Sequence, residues 1–206
     1  MRDAPLVFRA LLLDLDDTLY DRDAAFARWC RGRVGVGEDV NLLDWLRVVD
    51  DRGRESRTVL ANAIAVRLGV AVDPERFSYE LAGYVEPEIG ARDAIVRLAR
   101  TRRVAIVARG GAEEEKLRAA GLEGAAHAVI VGEVGVPKPV TYARARRWSE
   151  VPPAACLVVG DDPKTDIASA DVIGTEAAWR IRGAWPGTMP RPRYTLRSIA
   201  ELEAIA

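Results

Sequence analysis

Carboxylates crowd the segment that follows the first long apolar run of the chain. In "ALLLDLDDTLYD", Asp14, Asp16, Asp17 and Asp21 follow one another closely. The mutual repulsion of these side chains costs free energy unless a cation lies among them or one of them performs chemistry. This segment is therefore the first candidate site.

A second acidic segment follows the apolar run "CLVVG". It reads "GDDPKTD" and contains Asp161, Asp162 and Asp166. Lys138, one of three lysines in the chain, lies between two prolines in "GVPKPV", and a further apolar run ends in "ARGG" at 108–111. If these runs are strands of one parallel sheet, their carboxyl ends meet at one edge, where ligands bind in such sheets.

Short apolar runs alternate with segments of helical periodicity. The runs that predict strands are 10–15, 104–108, 128–131, 156–160 and, more weakly, 176–181. The segments that predict helices are 91–102, 112–122, 139–150 and 164–174. This alternation predicts an α/β fold in which a Rossmann-like parallel sheet is connected by right-handed crossovers.

Residues 21–87 interrupt the alternation. They contain several helical patterns and no convincing strand, and Asp73-Pro74 is typical of a helix N-terminus. We therefore predict an all-helical cap subdomain at 21–87, inserted into a core formed by residues 1–20 and 88–206. The Pro/Gly-containing segment 87–90 would return the chain to the core.

Composition excludes several functions. The chain has 206 residues, which suits one core with an insertion, and a net charge of -1, which gives no general attraction to nucleic acid or to an anionic membrane. Its N-terminal apolar stretch is short and broken by charge, so we expect neither a secretory signal nor a membrane span. Cys30 and Cys156 lack metal or redox spacing and are expected to be buried thiols of a cytoplasmic protein.

Clustered carboxylates with one lysine call for a further cation. Ligands that offer only oxygen suit Mg²⁺, which binds one or two carboxylates together with water and substrate phosphate. A carboxylate could then attack phosphorus, and a second carboxylate could protonate the leaving oxygen and later activate water.

The chain resembles the haloacid dehalogenase (HAD) superfamily. "DLDDTL" at 14–19 is similar to the first HAD motif, Lys138 in "KP" to the third and "GDDPKTD" at 160–166 to the fourth. The helical insert also falls where the C1-type cap of this superfamily falls, so the resemblance covers the whole chain. It implies a Mg²⁺-dependent phosphatase acting on a small phosphorylated metabolite.

The resemblance also implies roles for individual residues. Asp14 would be the nucleophile, Asp16 the general acid/base and Lys138 the residue that stabilises charge. Asp162 or Asp166 would support the metal through water or orient Lys138. The implied metal-binding residues are Asp14, Asp16 through its backbone carbonyl, Asp161, Asp162 and Asp166.

One motif departs from the superfamily. Its second motif is a Ser or Thr at the end of the second core strand, whereas this chain has Ala108 followed by Arg109 and Gly110. The backbone N–H groups of Arg109 and Gly110, or the Arg109 side chain, could still bind phosphate. A lost hydrogen bond to a charged group costs about 1.5–3 kcal/mol, which is roughly ten- to a hundred-fold in rate. We therefore expect a slow phosphatase or one with an unusual substrate.

Two alternatives are a catalytically weak or silent HAD-like binding protein and a dehalogenase. Ala108 supports the first, whereas the presence of Asp14, Asp16, Lys138 and Asp161 argues against it. Asp16 argues against a dehalogenase, since a halide leaving group needs no proton. The oligomeric state and the substrate are not readable from the sequence.

Other polar groups are given structural roles. His127 is expected to pack or lie at the surface, and "AEEEK" at 112–116 is expected to be a solvated helix face. The arginines early in the insert, Arg22, Arg28, Arg31 and Arg33 among them, would form a solvated face or, less readily, meet an anionic substrate.

Overall fold

The computed structural model describes residues 8–133 and 135–206. Within them, parallel strands form one six-stranded sheet in the order β3-β2-β1-β4-β5-β6. The strands are β1 (Ala10–Asp14), β2 (Arg103–Arg109), β3 (Ala128–Gly132), β4 (Cys156–Gly160), β5 (Glu176–Arg180) and β6 (Tyr194–Leu196). The predicted α/β fold with a Rossmann-like parallel sheet is thus confirmed.

Helices connect the strands and build the insert. The α-helices are α1 (Arg22–Trp29), α2 (Val40–Asp50), α3 (Arg57–Leu68), α4 (Phe77–Ala82), α5 (Ala91–Ala99), α6 (Glu113–Ala119), α7 (Lys138–Ser149) and α8 (Ala168–Ile173). Shorter turns are π-helical at Cys30–Val34 and Pro163–Ile167, and 3-10 helical at Asp51–Gly53, Pro153–Ala155 and Ile199–Ala204.

The sheet lies between two helical layers. Because successive side chains of a strand point to opposite faces, Leu11 and Leu13 join one core cluster and Leu12 joins another. The first cluster packs beneath α5 and the insert, and the second packs beneath α7 and α8. β1 is buried along its whole length, which explains why its sequence is continuously apolar until Asp14.

Residues 21–87 form helices and the turns between them. Their own core includes the fully buried rings of Phe26, Trp29 and Phe77, with Trp29 and Phe77 packed edge to face at 4.9 Å. Arg22 and Asp50 form a buried ion pair at 2.7 Å within this part of the chain. The boundaries of the cap, 21 and 87, stay a prediction.

No described helix is both long enough and apolar enough to cross a membrane. Both cysteines are buried and free, as expected. His127 is exposed and accepts a hydrogen bond through Nδ1 from the Val104 backbone N–H, at 3.2 Å, which agrees with a surface role.

Candidate active site

Three neighbouring strands bring the acidic segments together. β1 is paired with β2 on one side and β4 on the other, so Asp14, Arg109 and Gly160 end adjacent strands at one edge. A cavity of about 670 Å³ lies between this edge and the helical insert. Its walls include Asp14 and Asp161 from the core and Arg52 from the insert.

Asp14 is buried at the base of this cavity, with only 4% of its surface exposed. Lys138 Nζ donates to its Oδ1 at 2.6 Å, and Thr18 Oγ1 donates to its Oδ2 at 3.1 Å. Burial and the nearby carboxylates of Asp166 and Asp161 raise the pKa of Asp14 well above its usual value, and Lys138 opposes this rise. Lys138 is therefore the group that favours the ionised form of Asp14.

Lys138 begins α7 and bridges two carboxylates. Its Nζ lies 2.5 Å from Asp166 Oδ1 as well as 2.6 Å from Asp14 Oδ1. Burial alone would lower the pKa of Lys138, but Asp14 and Asp166 raise it above its usual value. Lys138 is thus held in its charged form.

Asp166 is fully buried and fixed on both of its oxygens. Tyr142 Oη donates to Oδ1 at 3.0 Å, and the backbone N–H of Asp162 donates to Oδ2 at 3.1 Å. A Cβ atom on Gly160 would lie 2.3 Å from the Asp166 side chain, so only glycine lets this carboxylate come so close to β4. The contact of Asp166 with Lys138 is the one expected of a residue that orients Lys138, which is one of the two roles that the sequence left open.

Three carboxylates could share a cation. One oxygen each of Asp14, Asp161 and Asp166 lie within 4.8 Å of one another. Burial and the neighbouring carboxylates of Asp166 and Asp17 raise the pKa of Asp161 to about 7, so its negative charge lacks full compensation here. Three buried carboxylates that offer only oxygen ligands fit a hard divalent cation such as Mg²⁺.

Asp162 lies apart from this group. Its Oδ1 accepts from the Lys164 N–H at 2.9 Å and caps the helical turn that follows, and its Oδ2 accepts from Arg54 at 2.7 Å. The Asp16 carboxylate also lies outside the group of three. Of the five predicted metal-binding residues, the structure thus brings the carboxylates of three together.

Asp16 is held by two donors. Tyr20 Oη donates to its Oδ1 at 2.5 Å, and Lys116 Nζ lies 3.2 and 3.1 Å from its two oxygens. Burial would raise the pKa of Asp16, but Lys116, Arg22 and the Tyr20 hydrogen bond together lower it to about 2. Asp16 is therefore a carboxylate in this arrangement.

The contact of Lys116 corrects the prediction for segment 112–116. Lys116 is not on a solvated face: its exposed fraction is 4%, and its ammonium forms an ion pair with Asp16 at 3.1 Å. Sequence reasoning missed this partner because α6 follows β2, whereas Asp16 follows β1. The chain has only three lysines, and this scarcity was the one sequence signal that could have marked Lys116 as a functional residue.

The end of β2 forms another part of the cavity wall. Ala108, Arg109 and Gly110 all border the cavity. Ala108 is buried and has no side-chain hydroxyl to offer to a phosphoryl oxygen. Gly110 has φ 141, a backbone conformation that favours glycine.

Two arginines of the insert reach the acidic edge, and the sequence did not single them out. Arg52 forms an ion pair with Asp161 and lies 3.3 Å from Asp17 Oδ2. Arg54 pairs with Asp162 at 2.7 Å. Both follow the end of α2, so their reach depends on how the insert closes over the core.

The arginines that the sequence did single out serve other contacts. Arg22 borders the cavity but is buried against Asp50, while Arg28 pairs with Glu86 and Arg33 with Glu80. Arg31 is exposed.

Asp17 contacts the start of α1. Its Oδ1 accepts from the backbone N–H groups of Arg22 at 2.8 Å and Asp23 at 3.1 Å, at the start of α1. Its φ of 60 places it in the left-handed region, which Asp tolerates better than most residues.

Comparisons with known proteins agree with this architecture. Residues 133–202 match a family model described as HAD-hydrolase-like. The HAD-hydrolase YfnB of Bacillus subtilis, whose structure was solved bound to magnesium, is 22% identical with a TM-score of 0.75, over 97% of this chain and 98% of that one. L-2-haloacid dehalogenase of Xanthobacter autotrophicus is 20% identical with a TM-score of 0.70, over 96% and 98%.

A Thermotoga maritima protein described as a β-phosphoglucomutase is also similar in structure. It is 17% identical with a TM-score of 0.71, over 97% of this chain and 100% of that one. No curated protein matches the sequence. At such low sequence identities, the similar structures show only that the fold is shared. The family match is independent support from sequence, and it covers the C-terminal third of the chain. The resemblance that the motifs indicated is thus confirmed: residues 133–202 match the HAD-hydrolase-like family model, and the chain shares its fold with HAD structures.

Proposed function

We propose that this chain is a Mg²⁺-dependent phosphatase that hydrolyses a small phosphorylated metabolite through an aspartyl-phosphate. The observation that carries the proposal is the contact of Lys138 with Asp14 at 2.6 Å, beside Asp161 and Asp166, in a cavity large enough for a small molecule. The same contact suits a nucleophile that must stay ionised although it is buried.

In the first step an oxygen of Asp14 attacks phosphorus, and the bond to the leaving oxygen breaks. Lys138 favours the ionised form of Asp14 and would donate to a phosphoryl oxygen. A divalent cation among the carboxylates would offset the negative charge of the phosphoryl group. Asp14, Asp161 and Asp166 are the residues that would hold it.

In the second step water hydrolyses the aspartyl-phosphate. Asp16, two residues from Asp14, is a carboxylate and can accept the proton of that water. In the first step the same residue would deliver a proton to the leaving oxygen, so Asp16 must be protonated before that step. Lys116 and Tyr20 are the two donors that contact it.

The similar structures include dehalogenases and a protein described as a β-phosphoglucomutase. Asp16 favours the phosphatase, because an alcohol leaving group needs a proton and a halide does not. A weak or silent binding protein is the alternative, and Ala108 is the feature that favours it.

We also propose that the protein works in the cytoplasm. The support is that Cys30 and Cys156 are both buried, free thiols without a disulfide.

The test is hydrolysis of a generic aryl phosphate by the wild type and by Asp14→Asn, each with and without Mg²⁺. We expect turnover that needs both Asp14 and Mg²⁺. Turnover that persists in Asp14→Asn would contradict the proposed nucleophile. Turnover without Mg²⁺ would contradict the proposed cofactor, and no turnover would favour the binding protein.

A further inference from the structure

We propose that Arg52 competes with the divalent cation for Asp161, so that metal binding releases the turn of the insert that carries Arg52. The inference rests on the proposed function, because it assumes the cation site of that phosphatase. It adds a property that the proposed chemistry does not need. Asp161 would bind either Arg52 of the insert or the metal ion, but not both at once.

The contacts of Arg52 are the first support. Its guanidinium forms a hydrogen-bonded ion pair with Asp161 Oδ2, and the same nitrogen lies 3.3 Å from Asp17 Oδ2. Asp161 is one of the three carboxylates whose oxygens lie within 4.8 Å of one another. An arginine from the insert therefore already uses a carboxylate that the cation would need.

The turn that presents Arg52 has a strained backbone. Asp51, Arg52 and Gly53 all have left-handed backbone conformations, with φ of 43, 54 and 81. For the two residues that carry a side chain, this conformation costs free energy and persists only when the surroundings fix it.

Asp50 supplies the fixing contacts. Its Oδ2 accepts from the Gly53 N–H at 2.8 Å, and its carboxylate pairs with Arg22 at 2.7 Å and Arg57 at 3.2 Å. A Cβ on Gly53 would lie 2.9 Å from the Arg22 guanidinium, so glycine permits this packing. The turn is thus held from both sides, by Asp50 within the insert and by the contacts of Arg52 with the core.

The Arg52 guanidinium and the divalent ion are both positively charged, so they disfavour each other at Asp161. Asp161 is 6% exposed, so a guanidinium and a divalent ion on the same carboxylate would repel each other with little screening by water. Binding of one must weaken binding of the other, and this coupling is reciprocal. Once released from Asp161, Arg52 still borders the cavity and can meet an anionic substrate there.

Arg54 provides a matched control on the same turn. It also reaches the acidic edge, at 2.7 Å from Asp162 Oδ2, but Asp162 is not one of the three clustered carboxylates. Arg52→Gln and Arg54→Gln each remove one positive charge, and each weakens the contact between the insert and the core: at Asp161 and Asp17 in the first variant and at Asp162 in the second. Only the first should free a carboxylate for the metal.

The experiment is a calorimetric titration of substrate-free protein with Mg²⁺. We expect Arg52→Gln to bind Mg²⁺ about tenfold more tightly than the wild type, since a charged hydrogen bond no longer has to break. Arg54→Gln should bind with nearly the wild-type affinity. Equal affinities in the wild type and Arg52→Gln, or an equal gain in both variants, would overturn the inference.

Amide hydrogen exchange of residues 51–57 gives a second readout that needs no activity. In the wild type, Mg²⁺ should speed exchange in this turn, whereas in Arg52→Gln exchange should be fast with or without Mg²⁺. Unchanged exchange in the wild type would contradict the release of the turn. If Arg52→Gln does not bind Mg²⁺ at all, the proposed cofactor is refuted as well. If Mg²⁺ binds with the same affinity in the wild type and in Arg52→Gln, only this inference is refuted.

Discussion

A buried carboxylate can act as a nucleophile only if something keeps it ionised. If Asp14 is the nucleophile, as we propose, Lys138 is the group that favours its ionised form, and Lys138 is itself paired with Asp166. The site therefore depends on a chain of contacts that starts at β4, passes through Asp166 and Lys138, and ends at Asp14.

Gly160 tests this chain of contacts. Gly160→Ala would place a Cβ 2.3 Å from the Asp166 side chain, so Asp166 must shift and Lys138 must lose its orientation. We expect a loss of roughly 1–3 kcal/mol in the free energy of unfolding, with a fall in kcat. Urea unfolding and aryl phosphate kinetics measure these effects.

Gly183→Ala is the control for this variant, because its Cβ would meet no atom within 4 Å. A wild-type kcat in Gly160→Ala would show that Asp166 does not position Lys138.

Ala108 is the residue at which this chain departs from the superfamily pattern. Ala108→Ser would add a hydroxyl at the cavity wall with little extra volume. If the missing hydrogen bond limits phosphate binding, kcat/KM for an aryl phosphate should rise by roughly ten- to a hundred-fold. An unchanged kcat/KM in a normally folded variant would show that other groups already bind the phosphoryl oxygens.

Among the elements, the strands were the most readable from the sequence. β1 and β4 are central and buried on both faces, so their sequences are uniformly apolar and end where polar residues begin. The acidic residues that follow them could therefore be placed at one sheet edge without a structure. The last helix was less readable, since Ile199–Ala204 is 3-10 helical.

Contacts between distant elements could not be read in this way. Lys116 meets Asp16 only because α6 lies beside the loop after β1. Arg52 and Arg54 meet the core only because the turn after α2 closes over it. Periodicity fixes which face of a helix is apolar, but it does not fix which charged residue faces which partner.

The turn after α2 depends on one buried carboxylate. Asp50→Asn would leave the guanidinium groups of Arg22 and Arg57 without their shared negative partner. We expect a loss of about 3–5 kcal/mol in the free energy of unfolding, the range for breaking a buried pair. Urea unfolding measures it. Glu203→Gln, which breaks the exposed pair with Arg97, should leave stability nearly unchanged, and an equally small effect of Asp50→Asn would contradict the structural role of this carboxylate.

At the scale of the whole molecule, the clustered carboxylates make stability depend on pH. The pKa of Asp161 is about 7 in the folded protein against an ordinary value of 3.8. Between these values the folded protein retains a proton that the unfolded chain has released. Without divalent cations, the free energy of unfolding should therefore fall by a few kcal/mol as pH rises from about 4 to about 7.

Urea unfolding in EDTA at several pH values in this range measures that slope. Asp161→Asn should flatten it, whereas the wild-type slope should also flatten when Mg²⁺ is present. A stability that rises with pH over the same range in metal-free wild type would contradict the raised pKa.

The most direct test of the central claim is to identify the phosphorylated residue during turnover. The protein is mixed with aryl phosphate and Mg²⁺, quenched in acid within the first turnovers, digested and analysed by mass spectrometry. The account predicts one phosphoryl group on the peptide that contains Asp14, absent without Mg²⁺ and absent in Asp14→Asn. Turnover with the phosphoryl group on another residue would contradict it.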